Sequence, residues 1–186
     1  MLINILLTEN KMSKYKLSKL SNVPYSTIQD ICNGKTSINN CNAYTVYNIA
    51  KALNITSDLL IEHENRPSFE WFKSEICHKV KNFGELDFIL QVLESNQIRI
   101  LFNKKFYPEC LYLLAMLDYL CHKNSLMLCE NYNDIRHMKM SKPVYPLSMI
   151  TYNSFVSDSE KPYDIQDAIP EFKKFNIIEK DIFDVF

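Results

Sequence analysis

The chain has 186 residues, 47% of them hydrophobic, enough for one or two domains with cores of their own. Two glycines in the whole chain, with the single Asn-Gly pair (Asn33-Gly34) at the end of a predicted helix rather than between strands, argue against a hairpin-rich β fold and point to an all-α one. Six scattered cysteines exclude a disulfide scaffold, and the net charge of −1 hides an uneven distribution. Residues 1–55 carry six lysines (11, 14, 16, 19, 35 and 51) against Glu9 and Asp30, a net +4, which leaves −5 for the remainder. A basic first segment on an acidic body suits an anionic partner for that segment alone. The opening MLINILLTENK is too short for a signal-peptide core, and CLYLLAMLDYLC (110–121) is too short for a membrane span. A cytoplasmic protein with reduced thiols and no membrane partner is expected.

Five short helices are predicted in the first sixty residues. The first covers about 2–10, with Leu2, Ile3, Ile5 and Leu6 inward. Ser13 caps a second over 14–21, whose Leu17 and Leu20 lie three apart on one face. After a tight connection, Pro24 opens a third helix that buries Ile28 and Ile31 and leaves Tyr25, Ser26, Thr27, Gln29 and Asp30 outside. A helix ending at Cys32 or Asn33 needs a left-handed residue just beyond it, and Gly34, the only glycine among the first 83 residues, supplies that conformation. KTSINNCN reads as a polar loop. Val46, Ile49, Ala50 and Leu53 mark a fourth helix, and Thr56 caps a fifth with Leu59 and Leu60.

Leu17-Ser18 in the second helix, the turn NVPYSTI, NGKT after the third helix and IAKALNIT across the fourth and fifth occur in a telling order and spacing. With these elements, residues 1–62 resemble the phage-repressor (lambda repressor/Cro-like) helix-turn-helix family. Ser18 replaces the family's usual alanine and Asn22 its usual glycine; both are mild changes, because asparagine tolerates the left-handed turn. The resemblance implies double-stranded DNA as partner, with the third helix in the major groove. By position, Tyr25, Ser26 and Asp30 match the family's base-facing residues. Thr27, Asn33 and Lys35 match its phosphate-facing ones, and Lys14 stands near the backbone at the start of the second helix. Gln29, on the outer side of the third helix, and Thr36, in NGKT, complete the candidate DNA-binding set. Asp30 is the awkward member: near phosphates its carboxylate needs a donor such as a cytosine amine. One small recognition helix makes few base contacts, so a homodimer on two half-sites is implied.

The polar, Pro67-containing stretch EHENRPS suggests a linker at 63–68, followed by an all-α domain over 69–186 that serves dimerisation, sensing or partner binding. Ser68 caps a helix over 69–83, with Phe69, Phe72, Ile76, Val80 and Phe83 in one stripe and Trp71 beside it. Gly84 is expected to end it as Gly34 ends the third. Leu86, Ile89, Leu90 and Leu93 face inward from a helix over 85–95, and IRILF connects it to one that opens at Tyr107-Pro108-Glu109. That helix, reaching about 123, is apolar almost all round and reads as the central buried element. Short helices are expected near 131–140, 146–155, from Asp164, and over EKDIFDVF. The stretch 138–152 is the first choice for a protein-binding surface. No glycine-rich phosphate loop, Gly-x-Ser-x-Gly or His-Glu-x-x-His is present, and no Cys-x-x-Cys. No catalytic residue, cofactor or metal site is therefore expected. Three functional readings stand, in this order: a dimeric DNA-binding repressor; an antitoxin or adaptor whose second domain holds a partner protein; and, last, a second domain with enzymatic activity targeted by the DNA-binding module.

Overall fold

Capping and glycine placement set the ends of the helices, and burial sets their faces. The computed structural model describes residues 1–145 and 168–183. The chain divides into two compact units, Met1–Arg66 and Pro67–Phe186. The fold is all-α; among the described residues the only extended pairing is an isolated bridge between Val144 and Ile177.

The first unit contains α1 (Leu2–Glu9), α2 (Lys14–Ser21), α3 (Tyr25–Cys32), α4 (Ala43–Ala52) and α5 (Ser57–Glu64). Ser13, Asn42 and Thr56 each accept a backbone N–H at the head of α2, α4 and α5, satisfying donors that a helix start leaves orphaned. Leu17, Ile31 and Ile49, all fully buried, form the centre, with Ile3, Ile28 and Leu60 around them. Two inward assignments are corrected. Leu20 is 56% exposed, and the inner face of α2 is Leu17, Ser18 and Ser21; in α1, Leu7 is buried and Ile5 half-exposed. Both small serines lie against the neighbouring helices because each hydroxyl finds a carbonyl: Ser18 Oγ donates to Val23 O at 2.7 Å, Ser21 Oγ to Leu17 O at 2.7 Å. The loop after α3 contains a 3-10 turn, Ile38–Asn40, that buries Ile38.

The second unit is built around α9 (Tyr107–Lys123), the expected central helix, whose buried residues run from Glu109 to Cys121 with Tyr119 alone partly open. Packed against it are α6 (Phe69–Phe83), α7 (Glu85–Ser95), α8 (Gln97–Asn103) and α10 (Pro170–Lys173). IRILF is therefore part of a helix rather than a connection. Phe72, Ile76 and Val80 face inward as expected, joined by Lys73 and Cys77, whereas Trp71 and Phe83 are more than half exposed. On α7 the buried residues are Phe88, Ile89 and Val92, so Leu86 and Leu90 point outward, contrary to the stripe expected from sequence. Gly84 differs from Gly34: at φ 86°, ψ 161° it lies in a region that only glycine occupies freely, and this single residue ends α6 and starts α7. The helix expected near 131–140 is instead two 3-10 turns, Glu130–Tyr132 and Ile135–His137. Arg136 fixes this segment by a bidentate pair with buried Asp118, 2.7 and 2.9 Å, and by donating to Cys129 O. Residues 179–183 are not helical; the helices expected at 146–155 and from Asp164, and the last three residues, lie outside the described residues.

The last described segment is pinned from both sides. Lys73 and Glu179, both buried, pair at 2.9 Å, and Glu171 accepts from His122 at 2.7 Å. Within 138–152, the described Met138, Met140 and Val144 are partly buried against the core and Met140 N donates to Phe175 O, while Lys139, Ser141, Lys142 and Pro143 are exposed; residues 146–152 lie outside the described residues.

At the α7 start, Glu85 accepts from Lys123 and, at 2.9 Å, from Asn124 Nδ2; chiefly through Lys123, its carboxyl is held below the ordinary value. The folded state then binds fewer protons there than the unfolded state. The contribution is present above about pH 4.5 and is lost as pH falls through the lowered value. Because the pair is partly exposed, Glu85→Gln is expected to cost a few tenths to ~1 kcal/mol at neutral pH and nothing at low pH. Urea unfolding across pH 3–7 checks the sign.

Candidate nucleic-acid interface

The turn between α2 and α3 fixes the presentation of α3. Asn22 takes the left-handed conformation (φ 53°, ψ 31°), Ser18 holds Val23, and Pro24 stands at the N-cap with its carbonyl accepting from Ile28 N. Ile28, Ile31 and Cys32 face the core, and helical spacing then sends Tyr25, Ser26, Gln29 and Asn33 to one solvent-facing side. Asp30 lies half-buried at the edge of that face and Thr27 half-buried beyond it. Gln29, not Asp30, thus stands in the middle of the face.

The far end of α3 is equally well fixed. Gly34 (φ 74°) completes a Schellman motif, its N–H donating to Ile31 O at 3.0 Å while Lys35 N donates to Asp30 O at 2.9 Å; Thr36 N reaches the same carbonyl at 3.3 Å. Lys35 is held by the backbone, with its side chain exposed. A Cβ at Gly34 would meet nothing within 4 Å, so only the backbone conformation opposes substitution. Gly34→Ala is expected to cost ~1–2 kcal/mol in urea unfolding, with Gly34→Asn closer to wild type.

Lys14, at the first turn of α2, donates to Asn33 Oδ1 at 2.9 Å, joining the heads of two candidate residues far apart in the chain. They border an open hollow of about 680 Å³ that also takes in Lys11 and Ser13. Asn4 Nδ2 donates to Cys32 O at 2.9 Å, tying α1 to the end of α3. Burial pushes the Cys32 thiol up against the opposing pull of Lys14, so it stays neutral as a small core residue. The structure therefore gathers Lys14, Tyr25, Ser26, Gln29, Asn33, Lys35 and, at the margins, Thr27, Asp30 and Thr36 at one side of the unit. Apart from the Asp30 carboxylate at the margin, their chemistry is that of hydroxyls, amides and ammonium groups, suited to phosphate oxygens and base edges.

Sequence reading passed over Tyr15 and Lys19. The Tyr15 ring, 61% exposed, lies 6.3 Å from that of Tyr25 at 58°, and Lys19 Nζ lies 5.4 Å from the Tyr15 centroid. The available signal was a Tyr–Lys pair one turn apart on the outer side of α2.

Among the described residues no group of three His, Cys, Asp or Glu side chains is placed to hold a metal ion, and no helix is long and apolar enough to cross a membrane. Two packed helices joined by a tight left-handed turn, the second one polar outside and apolar inside, define a helix-turn-helix DNA-binding unit. Residues 3–65 match the family model described as the Cro/C1-type HTH DNA-binding domain, and the N-terminal unit is a domain of that family. No curated protein and no solved structure matches the chain.

Proposed function

We propose that the chain is a sequence-specific transcriptional regulator that acts as a dimer on an inverted repeat and represses by occluding a promoter in the cytoplasm. Carrying this reading is the exposed polar face of α3, held at both ends by the Asn22 turn and the Gly34 motif. Tyr25, Ser26, Gln29 and Asp30 meet base edges; Lys14, Thr27, Asn33, Lys35 and Thr36 meet phosphates. Selection from a randomised-duplex pool at several salt concentrations tests it, with Ser26→Ala/Thr27→Ala as control. Enrichment of a palindrome that the control loses supports the reading; salt-sensitive background binding alone overturns it.

A second reading, an antitoxin or adaptor, is favoured by a specific observation in the second unit. Phe83, Leu86 and Leu90 are each more than half exposed, an arrangement that suits a protein partner or a second copy. Sedimentation of the purified chain separates these: a dimer that Leu86→Glu/Leu90→Glu dissociates assigns the surface to self-association, while a monomer unaffected by those changes favours a partner protein.

A further inference from the structure

We infer that Tyr15 is a positioning residue for Tyr25, presetting that ring at the head of α3 and so governing the base preference there. The inference rests on α3 being the recognition helix. Tyr25 is 46% exposed in the first turn of its helix, where an unrestrained side chain samples several rotamers. Among the described residues it makes no side-chain hydrogen bond, and Tyr15 is the one ring against it. Tyr15 is itself restrained: Lys19, one turn along α2, lies over its ring.

The three side chains span two elements that cannot shift easily against each other. Leu17 and Ile31 are fully buried between α2 and α3, and Ser18 bonds the turn joining them. A ring standing on α2 is therefore a fixed reference for a ring standing on α3. Tilted aromatic pairs at this separation attract beyond the area they cover. The contact leaves both phenol hydroxyls without a protein partner among the described residues, so Tyr25 keeps its hydrogen-bonding capacity for DNA. Ordering a side chain in advance removes that cost from binding, and the gain falls on complexes that use the preset orientation. Discrimination between base pairs increases although Tyr15 itself contacts no base.

The test uses the full chain and the site it selects from a randomised pool. Tyr15→Phe, Tyr15→Ala, Tyr25→Ala and the double alanine variant are measured on that site and on every single-base variant of it. Tyr15→Ala is expected to weaken the selected site about 2–10-fold and to flatten preference at the base pairs where Tyr25→Ala abolishes it. Tyr15→Phe retains the preference, and the double variant binds no worse than Tyr25→Ala alone. Losses that multiply would overturn the inference, as would a uniform loss on all sequences with the preference intact. A Tyr15→Phe variant as impaired as Tyr15→Ala would transfer the role to the hydroxyl and also overturn it. If the wild type selects no sequence, the recognition-helix reading fails and this inference with it. Wild-type selection with uncoupled tyrosines removes the inference alone.

Discussion

Lys73→Ala is expected to cost the second unit ~3–5 kcal/mol, a large share of the stability of a unit this size. Its ammonium lies 2.9 Å from Glu179 Oε2, and both side chains are within 5% of full burial. Removing the cation leaves a carboxylate away from water with neutral partners alone: Tyr112 OH at 3.4 Å, Lys180 N at 3.2 Å and the backbone of Asp181. Burial already pushes the Glu179 carboxyl above its ordinary value, with Lys73 opposing that push. Without Lys73 the group rises further and takes a proton, which sets the pH dependence. The folded variant binds more protons than the unfolded chain, so it is least impaired below about pH 4.5 and loses stability as pH rises through the raised value. Lys73→Met/Glu179→Leu, which removes both charges and keeps volume, is expected to recover most of the loss. Trp71, the one tryptophan, lies on the same helix, so urea unfolding followed by its fluorescence at pH 5 and 8 reads the effect directly. A loss below ~1 kcal/mol at pH 8 would mean that the pair does not hold the last segment to the bundle.

That pair also marks where the sequence stops being legible. Signals carried by adjacent residues were readable: Ser13, Thr56 and Ser68 at helix starts, Asn22 and Gly34 in left-handed turns, Ile28 and Ile31 on one face. The helix-turn-helix depends on such short-range chemistry, and most of its candidate surface follows once the inner face of α3 is assigned. The second unit depends on partners distant in the chain. Nothing beside Lys73 or Glu179 indicates that either is buried, and nothing beside Asp118 indicates Arg136. On α7, two apolar stripes compete, Leu86/Leu90 and Phe88/Ile89/Val92, and only the positions of the helices packed against it, α6 and α9 above all, decide between them. Tyr15 escaped for a related reason: its ring meets Tyr25 across a turn, and neither helix alone announces the contact.

Substitutions at the rim of α3 are expected to act on DNA binding with opposite signs. Lys14→Ala and Lys35→Ala remove cations from a surface that faces phosphates on the proposed reading. Each phosphate left without its lysine lowers the slope of log affinity against log salt by about 0.9, and a dimer on two half-sites feels this twice. The double variant then loses about 3.6 in slope, and affinity at ~0.1 M salt falls on the order of a thousandfold, for all sequences alike. Lys35→Ala is the cleaner of the two, because Lys14 also donates to Asn33 and its removal loosens a second residue. Asp30→Asn removes a negative charge from the same rim and raises affinity for random duplex. On the selected site its effect depends on what the carboxylate does there. If Asp30 accepts from a cytosine amine, Asn presents the wrong chemistry and discrimination at that base pair falls by ~1–3 kcal/mol even as background binding strengthens. If it makes no base contact, both affinities rise together and discrimination is unchanged. Titrations of selected and random duplexes at about 50 and 200 mM salt separate these outcomes, and an unchanged slope in Lys35→Ala would remove that lysine from the phosphate surface.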